Sequence, residues 1–221
     1  MFRINYWSHN WLVRKINNNK ILENTSLYRG SLYDLGCGTQ PYYEDIKPFV
    51  INYIGVDWGN TLHKKNMHIE ADLNQALPIE NAVADTVLCL QTLEHLSEPL
   101  MFLKEANRIM KTGANIMITV PFIWHVHEEP FDFFRYTNYG LKHLLTKANF
   151  KQIEIQAVSG FWVSWVLRFN YNTYRYSNKL GKWITIILIP IWFIGQIIAP
   201  LLDKYDKNNR DTIGYCATAI K

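Results

Sequence analysis

The stretch YDLGCG at residues 33–38 decides the fold, because an apolar run that ends in two closely spaced glycines is a strand stopping in a ligand-binding turn. Glycine accepts positive φ there and, lacking Cβ, lets a ligand approach the backbone. A second run, YIGVDW at 53–58, follows about 20 residues on and ends in Asp57, where a carboxylate accepts both hydrogens of a ribose diol. The pair predicts a nucleoside-containing cofactor.

Which cofactor follows from what the turn lacks. A pyrophosphate binder needs a third glycine for close helix packing, and a P-loop needs a lysine. This turn continues Thr39, Gln40, Pro41, Tyr42, and no Lys or Arg lies between Arg29 and Lys47. Asp34, Glu44 and Asp45 make the neighbourhood acidic, which repels a polyphosphate and suits a cation. S-Adenosylmethionine meets these terms, having a ribose, a sulfonium, an ammonium and a single carboxylate. A helix starting at Pro41 would offer that carboxylate its N-terminus. A nicotinamide-dependent oxidoreductase is the alternative that the missing third glycine disfavours.

At this point the chain resembles the class I S-adenosylmethionine-dependent methyltransferases, in their small-molecule, type 11-like branch. The resemblance rests on DLGCG, the acidic end of YIGVDW, EADL at 70–73, TVLCLQTLEHL at 86–96 and PFIWHVHEEPFDFFRYT at 121–137, in the family's order. It implies a methyl-transferring enzyme with a Rossmann-like, doubly wound α/β sheet of seven strands closed by an antiparallel pair. It further implies that Gly36 and Gly38 contact the methionine part, Asp34 orders the turn and helps the ammonium, and Asp57 takes the ribose. Asp72 would meet the adenine amino group, and the backbone at Gln91 would face the ammonium. A cofactor-binding protein without turnover is compatible with the same residues.

The segment WHVHEEPFDFFRYT follows the fifth strand, at the sheet edge where open α/β folds bind ligands. The related enzymes show a similar His, Pro, Asp, Arg spacing, which maps onto His127, Pro130, Asp132 and Arg135. A hydroxyl is a poor nucleophile until a base takes its proton, and neutral His suits that task. His127 is the first candidate and His125 the second. The plainer alternative makes Asp132 and Arg135 an ion pair and His127 an ordering residue. The His125-x-His127 pair with its following carboxylates also suggests a metal site, but no outlying His or Cys completes a recognised pattern, so no metal is expected. Glu94 and His95 match the family's LEHL element, where helix-entry hydrogen bonding explains them as well as catalysis does.

A chain of 221 residues with 48% apolar content buries a substantial core as one domain, residues 1–221. Cys37, Cys89 and Cys216 show neither metal nor disulfide spacing, consistent with a reducing cytoplasm. The opening MFRINYWSHNW has no signal-peptide pattern. A net charge of +4 is not a nucleic-acid footprint, and no nucleic-acid partner is expected.

Trp11, Leu12, Ile16 and Leu22 predict a helix ahead of the first strand, with the Asn17, Asn18, Asn19 run facing solvent; by resemblance such a helix lids the cofactor. Strands are predicted at 31–35, 51–57, 67–72, 86–91 and 114–120, and helices at 99–111, stopped by Gly113, and 138–149. An antiparallel pair is expected from KQIEIQAV at 151–158 and the stretch near 212–220.

Between those last strands lies an insert, 161–211, where a short hairpin would suffice. Residues 183–202 carry no charge over a length that can cross a bilayer core, and Lys179, Lys182, Lys204, Lys207 and Arg210 flank them. The antiparallel pair requires the insert to leave and return at one end of the sheet, so a single crossing is excluded. The partner segment, with Arg168, Asn170, Asn172 and Arg175, makes a poor spanning helix, and Pro190, Gly195 and Pro200 would kink the apolar one. The expectation is a helical hairpin embedded in the inner membrane face, with Trp162, Trp165, Trp183 and Trp192 at the interface. A homodimer through a buried hairpin is the alternative. The acceptor is expected to be a glycan, a lipid-linked sugar or a lipidic small molecule, methylated on oxygen.

Overall fold

The computed structural model describes residues 3–59, 67–208 and 210–221; the side chains of residues 178, 180 and 182, and with them Lys182 as a basic flank, lie outside that description. The strands are β1 (Ser31–Leu35), β2 (Asn52–Asp57), β3 (Ile69–Glu70), β4 (Ala84–Leu90), β5 (Met110–Pro121), β6 (Lys151–Ala157) and β7 (Gly214–Ile220). The helices are α1 (Trp11–Glu23), α2 (Tyr43–Ile46), α3 (Pro99–Ile109), α4 (Asn138–Lys147), α5 (Phe161–Leu180) and α6 (Lys182–Asp206).

The seven strands form a sheet in the order β3-β2-β1-β4-β5-β7-β6. β1 pairs in parallel with β2 on one side and β4 on the other, so the chain reverses its winding there and a crevice opens at the carboxyl ends of β1 and β4. Ile118 of β5 and Ile155 of β6 both face Ala217 of antiparallel β7, giving the terminal pair that the resemblance implies. Leu32 and Leu35 of β1 and Val87, Leu88 and Cys89 of β4 are fully or almost fully buried, because central parallel strands are covered on both faces and need near-continuous apolar sequence. Phe102, Leu103, Ala106 and Ile109 put the apolar stripe of α3 against this core, and Pro99 starts that helix where no intrahelical N–H bond is required.

Several local expectations are corrected. Gly113 does not stop α3: the helix ends at Ile109, Met110 goes straight into β5, and Gly113 (φ 78°) absorbs a bulge where the pairing jumps from Ala84↔Met110 to Thr86↔Asn115. No helix begins at Pro41. Gln40 adopts φ 54°, which turns the chain away, and α2 is a four-residue helix from Tyr43, too short to offer the cofactor carboxylate an N-terminus. In α1 it is Ile21, not Leu22, that is buried, and Asn18 lies inside rather than facing solvent. The predicted strand at 67–72 is a two-residue bridge.

The insert is a hairpin of α5 and α6 turning at Gly181 (φ 117°). Gly195 lets the helices approach closely, since a Cβ there would lie 3.2 Å from Val166. Pro190 and Pro200 are both accommodated within α6. Trp192 is 2% exposed and donates its indole N–H to Thr173 Oγ1 at 2.8 Å, so it belongs to the hairpin's interior and not to an interface.

α6 also supplies side-chain acceptors that two other helices lack. Gln196, fully buried, accepts from the Leu12 amide at the start of α1 (2.9 Å) and donates to the Ser8 carbonyl (3.1 Å). The Asp203 carboxylate accepts from the amides of Gly160 (2.8 Å) and Trp162 (2.7 Å), closing the first turn of α5. Asp203→Ala should therefore destabilise the protein by about 1–2 kcal/mol, the usual worth of an N-cap. Urea unfolding should show an earlier midpoint with an unchanged slope, whereas an unchanged midpoint would remove this capping role.

Candidate active site

The turn after β1 is built by backbone amides. Gly36 N–H and Cys37 N–H donate to the Val56 carbonyl at 2.8 and 3.2 Å, which carries the chain over the end of β2. Gly38 N–H donates to Asp57 Oδ2 at 2.5 Å and Trp58 N–H to Asp57 Oδ1 at 2.7 Å, so two amides fix the carboxylate at the strand end. Gly38 has φ 51° and open space where a Cβ would stand. Gly36 has the opposite constraint: a Cβ there would lie 2.3 Å from Thr92.

Asp34, 4% exposed, accepts from the Tyr53 hydroxyl through Oδ2, while Oδ1 has no hydrogen-bond partner among the described residues. Burial pushes its carboxyl up to about 7; the Tyr53 bond opposes the shift and the Asp57 charge adds to it. Asp72 turns its Oδ1 to the Asn74 amide at 2.9 Å. Gln91 ends β4 with φ 53° and its N–H on the Thr119 carbonyl at 2.9 Å.

Asp34, Gly36, Gly38, Asp57, Asp72 and Gln91 all line one cavity of about 730 Å³. That size accommodates a nucleoside cofactor. The groups suit S-adenosylmethionine in particular: a buried carboxylate oxygen without a partner, a glycine whose missing Cβ leaves room, and no basic residue among those lining the cavity other than His95.

The loop after β5 is organised by an ion pair. Arg135 Nη1 and Nη2 meet Asp132 Oδ1 and Oδ2 at 2.6 Å each, and Arg135 also donates to the His125 carbonyl at 2.9 Å. The Arg135 guanidinium holds the Asp132 carboxyl well below the usual carboxylate range. Both side chains are thus committed to contacts within the loop. His127 Nδ1 lies 3.2 Å from Asp132 Oδ2, 3.3 Å from the His125 carbonyl and 3.5 Å from Arg135 Nη2, so the ring is seated on the Asp132–Arg135 pair through Nδ1 with Nε2 on its far side. Burial, with smaller contributions from His127 and Arg135, lowers the His125 pKa, and its ring lies 5.1 Å from Tyr171 of α5. Neither His125 nor His127 lines the cofactor cavity. His95 does, and its ring centre is 5.0 Å from that of His127.

Residues 14–155 match the sequence profile described as "Methyltransferase domain". The chain belongs to this family. S-Adenosylmethionine is accordingly its cofactor. Among curated relatives, 76 residues are 34% identical to the tRNA U34 carboxymethyltransferase of Campylobacter fetus, covering 34% of this chain and 27% of that protein. Another 112-residue match is 26% identical to the ubiquinone biosynthesis O-methyltransferase of Pseudomonas aeruginosa, covering 46% of this chain and 48% of that one. The matches thus span less than half the length of either relative. In fold, the chain is similar to an S-adenosylmethionine-dependent methyltransferase from Archaeoglobus fulgidus (TM-score 0.62, 16% identity, 94% of each chain). It is also similar to Haemonchus contortus phosphoethanolamine N-methyltransferase 2 in complex with S-adenosyl-L-methionine (TM-score 0.59, 14% identity, 98% of this chain and 56% of that one).

Within this domain, sequence reading missed Asn17 and Ile21 of α1, which line the cavity, and Trp58, which also lines it and whose ring meets that of Phe131 at 5.3 Å. An aromatic directly after Asp57 was the available signal for Trp58. None marked Asn17, because a polar residue in a helix reads as solvated.

Asp34 sets a pH dependence. In the free protein its carboxyl is largely protonated below pH 7, and a cationic ligand selects the ionised form, so protonation competes with binding. Affinity for S-adenosylmethionine should fall about tenfold between about pH 7.5 and pH 6, and Asp34→Asn should bind weakly with a flat profile. Calorimetric titrations at the two pH values check this; equal affinities would detach Asp34 from the ammonium.

Proposed function

We propose that this protein methylates an oxygen of a glycan, lipid-linked sugar or lipidic small molecule at the cytoplasmic membrane face. The observation that carries the reading is that the apolar hairpin and the acceptor loop touch: Tyr171 of α5 lies 4.9 Å from the ring of Trp124 and 5.1 Å from that of His125. An acceptor held at the hairpin's surface is thereby delivered beside the histidines of the loop after β5.

The outer face of α6 supports the membrane part of the reading. Among the described residues, Trp183–Asp206 is the one helix long and apolar enough to cross a membrane, and only 17% of its apolar window is buried. Trp183 (81% exposed), Ile187, Ile191, Ile194, Ile198 and Leu201 recur at helical spacing along the exposed face. A core helix of a soluble protein would bury such a stripe. Because β6 and β7 pair in one sheet, both roots of the hairpin stay on the catalytic side, which favours a helix lying in the interface over one that crosses. Trp162 and Trp165 are exposed on α5, and Lys204 and Lys207 flank α6 to meet anionic headgroups at about 1 kcal/mol each.

When bound, S-adenosylmethionine supplies an electrophilic methyl group on a sulfonium. The chain's part is to hold the reactants in line, exclude water and help the hydroxyl lose its proton. Asp57 and the Gly38 turn fix one partner. On the other side the His127 ring, set beside the Asp132–Arg135 pair, is available for hydroxyl activation.

His127→Ala should lower methyl transfer by about 10²- to 10⁴-fold and leave cofactor affinity nearly unchanged. The check is transfer of tritiated methyl from S-adenosylmethionine into a total lipid extract, beside a calorimetric titration of the cofactor; unchanged transfer in the variant would return His127 to an ordering role. For the membrane, the intact protein should sediment with anionic vesicles and be partly released by high salt. The double substitution Ile187→Lys, Ile194→Lys, on exposed positions, should abolish sedimentation without unfolding the chain. A detergent-free dimer that ignores anionic vesicles would instead make this face a contact between two copies.

A further inference from the structure

Three side chains distant from the glycine turn converge beside the cavity. Glu94 and His95 follow β4 and His127 follows β5, and each brings one ligand atom to within 4.8 Å of the others. The His125-x-His127 spacing suggested a metal pair in the sequence, yet the fold separates those two rings by 6.1 Å and gives His127 a different partner in His95.

The surroundings of each group point to a cation. Glu94 is 0% exposed, and neither carboxylate oxygen has a hydrogen-bond partner among the described residues. Leaving a buried carboxyl unpaired is costly, and native interiors rarely do so without an ion or water to satisfy it. His95 Nδ1 lies 2.8 Å from the Phe131 carbonyl, so that nitrogen donates and the Nε2 lone pair points toward Glu94 Oε1, 3.8 Å away. His127 has Asp132 behind its Nδ1 at 3.2 Å, and Asp132 is itself gripped by Arg135. A carbonyl or carboxylate behind each imidazole is the arrangement that orients metal-binding histidines.

We propose that Glu94, His95 and His127 bind a divalent transition-metal cation, the imidazoles through Nε2 and Glu94 through a carboxylate oxygen. Two nitrogens and one oxygen match borderline ions such as Zn²⁺ better than Mg²⁺, which prefers oxygen donors. The three ligand atoms lie up to 4.8 Å apart, wider than the roughly 3.4 Å separations set by metal–ligand distances of about 2.1 Å, so binding draws the three side chains together. Three protein ligands leave a coordination position open, and His95 places it at the rim of the cofactor cavity. The inference rests on the acceptor-side reading and changes one step of it: with Nε2 on the ion His127 no longer takes the proton, and an acceptor hydroxyl in the open position would instead lose it to solvent water, its electron pair stabilised by the ion before the new C–O bond forms and the C–S bond breaks. Metal binding itself is independent of that step. It also gives the Asp132–Arg135 pair its task, which is to hold a ligand ring in place.

The test is equilibrium dialysis of the chelator-stripped full chain against Zn²⁺ alone, with metal counted by mass spectrometry and Co²⁺ substitution read by its visible absorption. The expected result is one equivalent per chain, an upward shift of the unfolding temperature, and a Co²⁺ spectrum of low-symmetry nitrogen and oxygen ligation. Glu94→Gln and His127→Ala should each weaken binding about 10- to 100-fold, while exposed His143→Ala leaves it unchanged. Circular dichroism and S-adenosylmethionine binding of His127→Ala verify that the fold is intact. No stoichiometric binding to the folded wild-type chain, or binding equally strong in both ligand variants, overturns the site. If Zn²⁺ binds as described and no methyl is transferred, the site stands and the acceptor reading fails.

Discussion

The site depends on how closely the turn after β1 can approach the turn after β4. At Gly36 the two meet with no room for a side chain: a Cβ would stand 2.3 Å from the Thr92 methyl and hydroxyl, and Thr92 Oγ1 itself faces the Gly36 carbonyl at 3.4 Å. This seam sets the distance between the cofactor-facing turn and the segment carrying Glu94 and His95. It also explains the left-handed backbone of Gln91, a non-glycine residue at φ 53°, since β4 must end abruptly to bring Thr92 under Gly36. Such a conformation costs on the order of 1 kcal/mol and persists where the surroundings over-determine it. Here they do, through the Thr119 carbonyl on one side and the Gly36 turn on the other.

What the sequence made legible was what local backbone chemistry controls. The glycine turn, the acidic end of β2 and the apolar runs of β1 and β4 announce themselves because φ, charge and burial act on neighbouring residues. Misreadings fell where tertiary contacts override local pattern. Gly113 resembles a helix stop, but burial of Met110 in extended form ends α3 earlier and leaves the glycine to a bulge. Trp192 resembles an interfacial tryptophan, but Thr173 takes its indole N–H inside the hairpin. The convergence of His95 with His127 and the capping of α1 by Gln196, 184 residues away, have no local signature at all.

The hairpin is not an appendage. Gln196 and Asp203 of α6 satisfy amides at the starts of α1 and α5, and α1 in turn covers the cofactor cavity through Asn17 and Ile21. His9, ahead of α1, stacks on Tyr174 of α5 at 3.9 Å, adding a second tie between the same parts. Anything that shifts α6 therefore acts on the lid over the cofactor as well as on the acceptor loop beside Tyr171. The exposed isoleucine face and the cavity are separate surfaces connected through α6 and α1, so the docking proposed for α6 would bear on the cavity as well.

Asp34 and Glu94 are the two carboxylates among the described residues that share one condition. Each is buried, and each keeps at least one carboxylate oxygen without a hydrogen-bond partner among the described residues. They lie on opposite sides of the Gly36 and Thr92 seam, one on the β1 side and one on the β4 side. For Asp34 the consequence for stability has a definite sign. A folded-state pKa raised by burial to about 7 means the native chain holds a proton that the unfolded chain releases near pH 4, so stability declines as pH rises through that window and stays lower above it. A cation bound at the carboxylate reverses the balance by favouring its ionised form. The protein thus forgoes stability in the free state at a carboxylate that a bound cation would stabilise, which is the reading of the unpaired oxygen that the proposed cofactor contact gives. Glu94 poses the same question on the β4 side, with the rings of His95 and His127 gathered beside it.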